Sequence, residues 1–147
     1  MLSGAAINTI ESQHEFVAIP IATQNGINLE LKPSTAGGAA LRRYTDYHMS
    51  TVIKQAANRA GVQLEDIDFF VLPTPVAWFT DFAVQLLDID PNKTVNPYAQ
   101  YGNIGPALPL VNLYEALKSD RIRSGDLVLV ASIGSVSSAA ASVLRWN

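Results

Sequence analysis

The chain contains no cysteine. That absence excludes disulfides, thiolate metal sites and a cysteine nucleophile on this polypeptide, and it suits a reducing, cytoplasmic setting. Charge is scarce as well: charged residues are 16% of the 147, against roughly a quarter in ordinary domains. Lys and Arg number 10 against 13 Asp and Glu, for a net charge of −3. No basic stripe appears, which argues against a nucleic-acid partner. No apolar run reaches the length of about 18 residues that a membrane-spanning helix needs. The opening MLSGAAINTIESQ has no basic region and meets Glu11 early, so it does not read as a signal peptide. Asp46, Asp88, Asp90 and the two histidines, His14 and His48, show no metal-ligand spacing. Neither a metal nor a cofactor is expected.

What is present is apolar. Hydrophobic residues make up 48% of the chain, enough for a real core in a domain of this size. With so little charge, part of the surface is expected to be covered by another chain or by a missing half of the same fold.

The first part, residues 1–38, reads as strands and a loop. GAAINTI and EFVAIPIA are rich in apolar and β-branched residues, and NGINLEL alternates through Ile27, Leu29 and Leu31. ESQH and TQNG break them, and Asn25-Gly26 is a tight-turn signal. KPSTAGG is a loop.

Residues 39–147 read as one structural unit. A helix is predicted over 40–60, because Leu41, Tyr44, His48, Val52, Ala56 and Ala60 recur every three or four positions, with Met49 and Ile53 widening the stripe. Gly61 is its expected stop. Residues 67–72 are apolar on both faces, the pattern of an interior parallel strand. Pro73 and Pro75 break it. A second helix is predicted over 76–87, then a very short strand at TVN. A third helix opens near Gly105-Pro106, where proline suits the first turn, and ends by Ser119. DLVLVASIG and SSAAASVLRW close the chain as two strands around Ser135. The expected class is α/β, a mixed, mostly parallel sheet with helices packed on it.

From residue 39 to 146 these pieces resemble one family. Tyr101-Gly102-Asn103 opens a helix. Arg121-Ile122-Arg123-Ser124-Gly125-Asp126 leads into Leu-Val-Leu. A small-residue loop runs from Ser132 to Ser138, and the last strand ends Leu144-Arg145-Trp146. Together they resemble the carboxyl end of β-ketoacyl-acyl carrier protein synthase III, a thiolase-fold condensing enzyme. One departure is Asp120, which stands where that pattern has glycine.

The resemblance implies one half of a two-lobed subunit. In such enzymes the amino half carries the nucleophilic cysteine, and the carboxyl half carries a histidine and an asparagine. The expected partner is therefore an amino-terminal half bearing that cysteine, in a hetero-oligomer or a dimer of such pairs, with acyl-coenzyme A or acyl carrier protein as substrate.

The same resemblance assigns site residues. Asn103 falls on the family's asparagine, whose amide, with the histidine, donates to a malonyl thioester carbonyl. Its plainer alternative is an asparagine that only caps the helix. Thr74 takes the histidine's place in Pro73-Thr74-Pro75-Val76-Ala77. A hydroxyl donates one hydrogen bond but is no base near neutral pH, or it can simply satisfy backbone groups at a strand end. Ser135 matches the loop position whose backbone N–H helps form an oxyanion hole, and Ser135 and Val136 replace glycines there. Trp78 and Phe79, with Phe82, line an acyl channel or belong to the core. His48, on the apolar stripe, reads as a buried structural or interface histidine rather than a replacement base.

Two functional expectations stand. One is an acyltransferase that works only when complemented by the cysteine-bearing half. The other is a catalytically silent half that serves as scaffold or carrier-protein docking module.

Overall fold

The computed structural model describes residues 3–8, 16–134 and 138–147. The elements are β1 (Ser3–Asn8), β2 (Phe16–Thr23), β3 (Gly26–Pro33), α1 (Thr35–Ala60), β4 (Phe69–Val71), α2 (Phe79–Leu87), α3 (Tyr98–Tyr101), α4 (Leu108–Lys118), β5 (Leu127–Gly134) and β6 (Ser138–Arg145). Short 3₁₀ turns at Pro91–Lys93 and Gly105–Ala107 precede α3 and α4.

The main sheet has the order β1-β6-β5-β4. β4 runs parallel to β5, with Phe70 opposite Leu129, and a single parallel bridge joins Phe70 to Thr94. That bridge is where the short TVN strand was expected. β5–β6 and β1–β6 are antiparallel. The sheet is mixed as anticipated, but its longest ladders are antiparallel rather than parallel. The reason is connectivity: β5 and β6 follow each other closely, and β1, from the other end of the chain, pairs on the far side of β6, so only β4 is reached through a helical crossover.

Alternation along the strands builds a core on each face of the sheet. Phe70, Leu72, Leu127, Leu129 and Ala131 pack against Met49, Val52, Ile53 and Ala56 of α1, and against Phe79, Ala83 and Leu87 of α2. Small residues Ala5, Ala139 and Ala141 line the same side, beneath a helix that lies over β1 and β6. Their neighbours Phe69, Val71 and Val128 face the opposite way, toward Ala116 of α4 and Ile122. All three residues of β4 are buried, which is the physical content of a strand without a polar face.

The amino-terminal segment divides. β1 joins the main sheet, the Ser3 hydroxyl donates to the Ala56 carbonyl, and Arg59 Nη1 donates to the Gly4 carbonyl at 2.8 Å. β2 and β3 form a separate ribbon. Gln24 and Asn25 make its turn, and Gly26 closes it at φ +122°. Thr23 Oγ1 braces that turn by donating to the Gly26 carbonyl at 2.9 Å. Ile27 and Leu29 lie on one face of the ribbon and are 72% and 70% exposed.

The helix boundaries shift from the sequence expectation in both directions. α1 starts at Thr35, not 40. Gly37 and Gly38 read as breakers, yet each glycine costs only about 1 kcal/mol in a helix, less than a well-packed amphipathic face supplies. α2 starts at Phe79, not 76, because the preceding residues form a turn in which the Phe79 N–H donates to the Val76 carbonyl at 3.1 Å. Gly61 ends α1 at φ +73° as expected, with its N–H on the Asn58 carbonyl. At the end of α4, Asp120 adopts φ +52°, the left-handed region that a glycine enters without steric cost. Its N–H donates to the Leu117 carbonyl.

Asp120→Gly is therefore expected to raise stability by about 0.5–1 kcal/mol, the relief of left-handed strain less the added chain entropy. A urea denaturation curve with an unchanged slope and a higher midpoint checks this.

Candidate active site

The end of β4, the start of α2, the turn before α4 and the end of β5 meet around a cleft of about 920 Å³. Each wall has a structural cause. Pro73 and Pro75 prevent β4 from continuing, so the chain turns across the sheet end and delivers Trp78, Phe79 and Phe82 as a cluster. The rings of Phe79 and Phe82 are 5.7 Å apart, and Trp78 meets Phe82 edge-on at 6.0 Å. Phe79 is buried, whereas Trp78 is 62% exposed. Both line the cleft, as does Asn103.

Asn103 sits between Gly102 and Gly105, which both hold φ +62°. Such a backbone suits glycine and few other residues. The Asn103 Oδ1 accepts the Gly105 N–H at 2.9 Å. The side chain thus ties the turn before α4 with its oxygen, which leaves the Nδ2 amide as the end with hydrogens to donate. The turn is anchored upstream too. The Tyr101 hydroxyl donates to Glu115 Oε1 of α4 at 2.7 Å, and Gln100 Nε2 donates to the same hydroxyl at 3.0 Å. Donation to Glu115 raises the Tyr101 phenol above its ordinary value.

Thr74 is placed elsewhere. It is fully buried, is not part of the cleft lining, and pairs with Asn112 of α4. Asn112 Nδ2 donates to the Leu72 carbonyl and to Thr74 Oγ1, the latter at 3.3 Å. So the structure brings Asn103, Trp78 and Phe79 together and sets Thr74 behind them. Ser135 lies outside the described residues, while its neighbours Ser132, Ile133 and Gly134 line the cleft. His48 is buried on α1, beside the Tyr47 ring at 5.8 Å.

Asn112 escaped the sequence reading. The signal was a lone amide in LPLVNLYEAL, spaced four residues from Leu108 and from Ala116, all on the buried side of α4. Thr45 and Asp46 of α1 also line the cleft, and Thr45 Oγ1 is buried with no hydrogen-bond partner. In the sequence Asp46 shows no metal-ligand spacing and is given no other role.

Comparison with known proteins agrees with this architecture. The family model described as 3-oxoacyl-[acyl-carrier-protein] synthase III C terminal matches residues 57–146. The chain belongs to this family. It is similar to the β-ketoacyl-[acyl-carrier-protein] synthase III of Symbiobacterium thermophilum, 37% identical over 99 residues that make up 67% of this chain and 30% of that protein. The Microcystis aeruginosa synthase III is 25% identical over 147 residues, 98% of this chain but 44% of the relative. The solved synthase III of Thermus thermophilus superposes with a TM-score of 0.80 at 27% identity, covering 99% of this chain and 46% of that one. The chain thus spans less than half the length of these synthase III relatives and has a thiolase-like fold. Among the described residues no helix is long and apolar enough to cross a membrane.

Within this synthase III domain the buried amide is expected to matter for stability. Asn112→Ala strands the Leu72 carbonyl and the Thr74 hydroxyl without their partner, a loss of about 2–3 kcal/mol. Chemical denaturation checks the value, and Thr74→Val is expected to cost about half as much, since it leaves the Asn112–Leu72 bond in place.

Proposed function

We propose that this chain is the carboxyl half of a synthase III-like acyltransferase that acts on acyl-coenzyme A or acyl carrier protein thioesters. A second half, on another chain or covalently joined, supplies the nucleophilic cysteine. The observation that carries the reading is Asn103, an amide held by Gly105 on the wall of an aromatic cleft within a synthase III domain. The lack of cysteine and the share of the relatives' length fit a chain that is not sufficient alone. So does the outward face of α4, where Leu110 and Tyr114 are 70% and 56% exposed. Apolar area of this kind gains roughly 25 cal/mol per Å² when covered.

In this reading the partner's cysteine thiolate attacks the thioester carbonyl, and the coenzyme or carrier thiol leaves with a proton. The acyl chain lies along Trp78 and Phe79. An acceptor then attacks the enzyme-bound acyl group and the cysteine thiol departs. Asn103 Nδ2 donates to the oxygen that gains charge, an interaction worth most where water is excluded. The Ser135 backbone N–H adds a second donor. Thr74 acts from behind, as part of the Asn112 tie that holds the loop carrying the channel residues. Since threonine replaces the histidine of the resembled pattern, the transfer proceeds without decarboxylation.

A second reading, a silent half that serves as scaffold or docking module, is favoured by the burial of Thr74 away from the cleft.

The test is co-purification with the cysteine-bearing half, addition of an acyl-coenzyme A, and mass spectrometry of the intact subunits. The expected result is one acyl adduct on the partner's cysteine and a drop in turnover of about 10²-fold for Asn103→Ala with assembly retained. An intact complex without an adduct supports the silent half. An adduct with unchanged Asn103→Ala turnover removes the role given to the amide.

A further inference from the structure

Asn103 is exposed, and so are the residues that follow it through Ala107. Gly102 before this segment and Gly105 within it both hold φ +62°, and glycine has the largest conformational freedom of any residue. Hydrophobic burial therefore does not hold the turn. Polar contacts do: the Gly105 N–H on Asn103 Oδ1 within the turn, and upstream a pair of bonds that meet at Tyr101. Its hydroxyl donates to Glu115 Oε1 at 2.7 Å and accepts from Gln100 Nε2 at 3.0 Å. The Glu115 side chain is only 15% exposed and lies 3.7 Å from Lys118 Nζ. The residue after Tyr101 is also tied, since the Gly102 N–H donates to the Tyr98 carbonyl at 2.7 Å. The Tyr101–Glu115 bond closes a loop with Asn103 inside it.

We infer that Tyr101 and Glu115 form a clasp that positions the Asn103 amide at the cleft wall. Tyr101 is a positioning residue: it reaches Asn103 through the backbone of Gly102. A hydroxyl-to-carboxylate hydrogen bond is of the stronger, charge-assisted kind. Its loss frees the glycine-flanked turn while the core beneath α4, built on Phe69, Val71 and Val128, stays in place.

The inference rests on the reading of Asn103 as the donor of the cleft, and the two fail separately. The clasp is tested on the full chain by NMR, through hydrogen exchange of the Gly105 amide and the side-chain amide resonances of Asn103. Tyr101→Phe is expected to speed Gly105 exchange about tenfold and to shift the Asn103 Nδ2 resonances, with the Leu129 and Val143 amides unchanged. Glu115→Ala is expected to match it, Glu115→Gln to restore most of the protection by keeping an acceptor, and the Tyr101→Phe/Glu115→Ala pair to be no worse than either change alone. Unchanged exchange in Tyr101→Phe, or strictly additive effects in the pair, overturns the clasp. If Tyr101→Phe does not fold, the Glu115→Ala and Glu115→Gln comparison decides: equal protection in both overturns it. Unchanged turnover in Asn103→Ala would instead remove the catalytic reading and leave the clasp standing.

Discussion

The structure depends on a three-residue strand that is buried on both sides. β4 sends Phe70 toward α1 and α2, and Phe69 and Val71 toward α4. No residue of it is free to face water. Both helical layers are therefore referenced to the same short segment, and a shift of one residue would exchange the two cores. Its parallel pairing with β5 sets where β4 ends. Pro73 and Pro75 then direct the chain into the aromatic wall of the cleft.

On the α4 side, two polar ties accompany this apolar frame. Asn112 joins α4 to the end of β4 from within the core, through Leu72 and Thr74. Tyr101 joins the turn before α4 to Glu115 nearer the surface. A buried amide with all its partners present costs little and specifies one arrangement, whereas the same amide without them is expensive. Thr74 takes part in that arrangement. Its hydroxyl completes a network behind the cleft.

Much of the fold was legible in the residues. The stripe through His48, Val52 and Ala56, the doubly apolar run at 67–72 and the glycine after Ala60 all lead to elements that the structure contains. Local signals of that kind survive because the same side chains that set the period also make the core. Helix starts were less legible. Whether Gly37 and Gly38 break α1, or whether 76–78 turn before α2, depends on packing and on one backbone hydrogen bond that no local pattern encodes. The balance of parallel and antiparallel pairing was illegible for a similar reason, since the docking of β1 on β6 is a contact between the two ends of the chain.

The cleft divides along the same line. By itself the sequence determined the family-like Tyr101-Gly102-Asn103 turn, the aromatic residues after the prolines and the lack of a cysteine, because each is a matter of residue identity at a given spacing. Only the tertiary structure decided that Thr74 faces Asn112, and that Thr45 and Asp46 stand at the cleft wall with Asn103. Which way a side chain points at the end of a strand follows from the elements packed around it, and those come from distant parts of the chain.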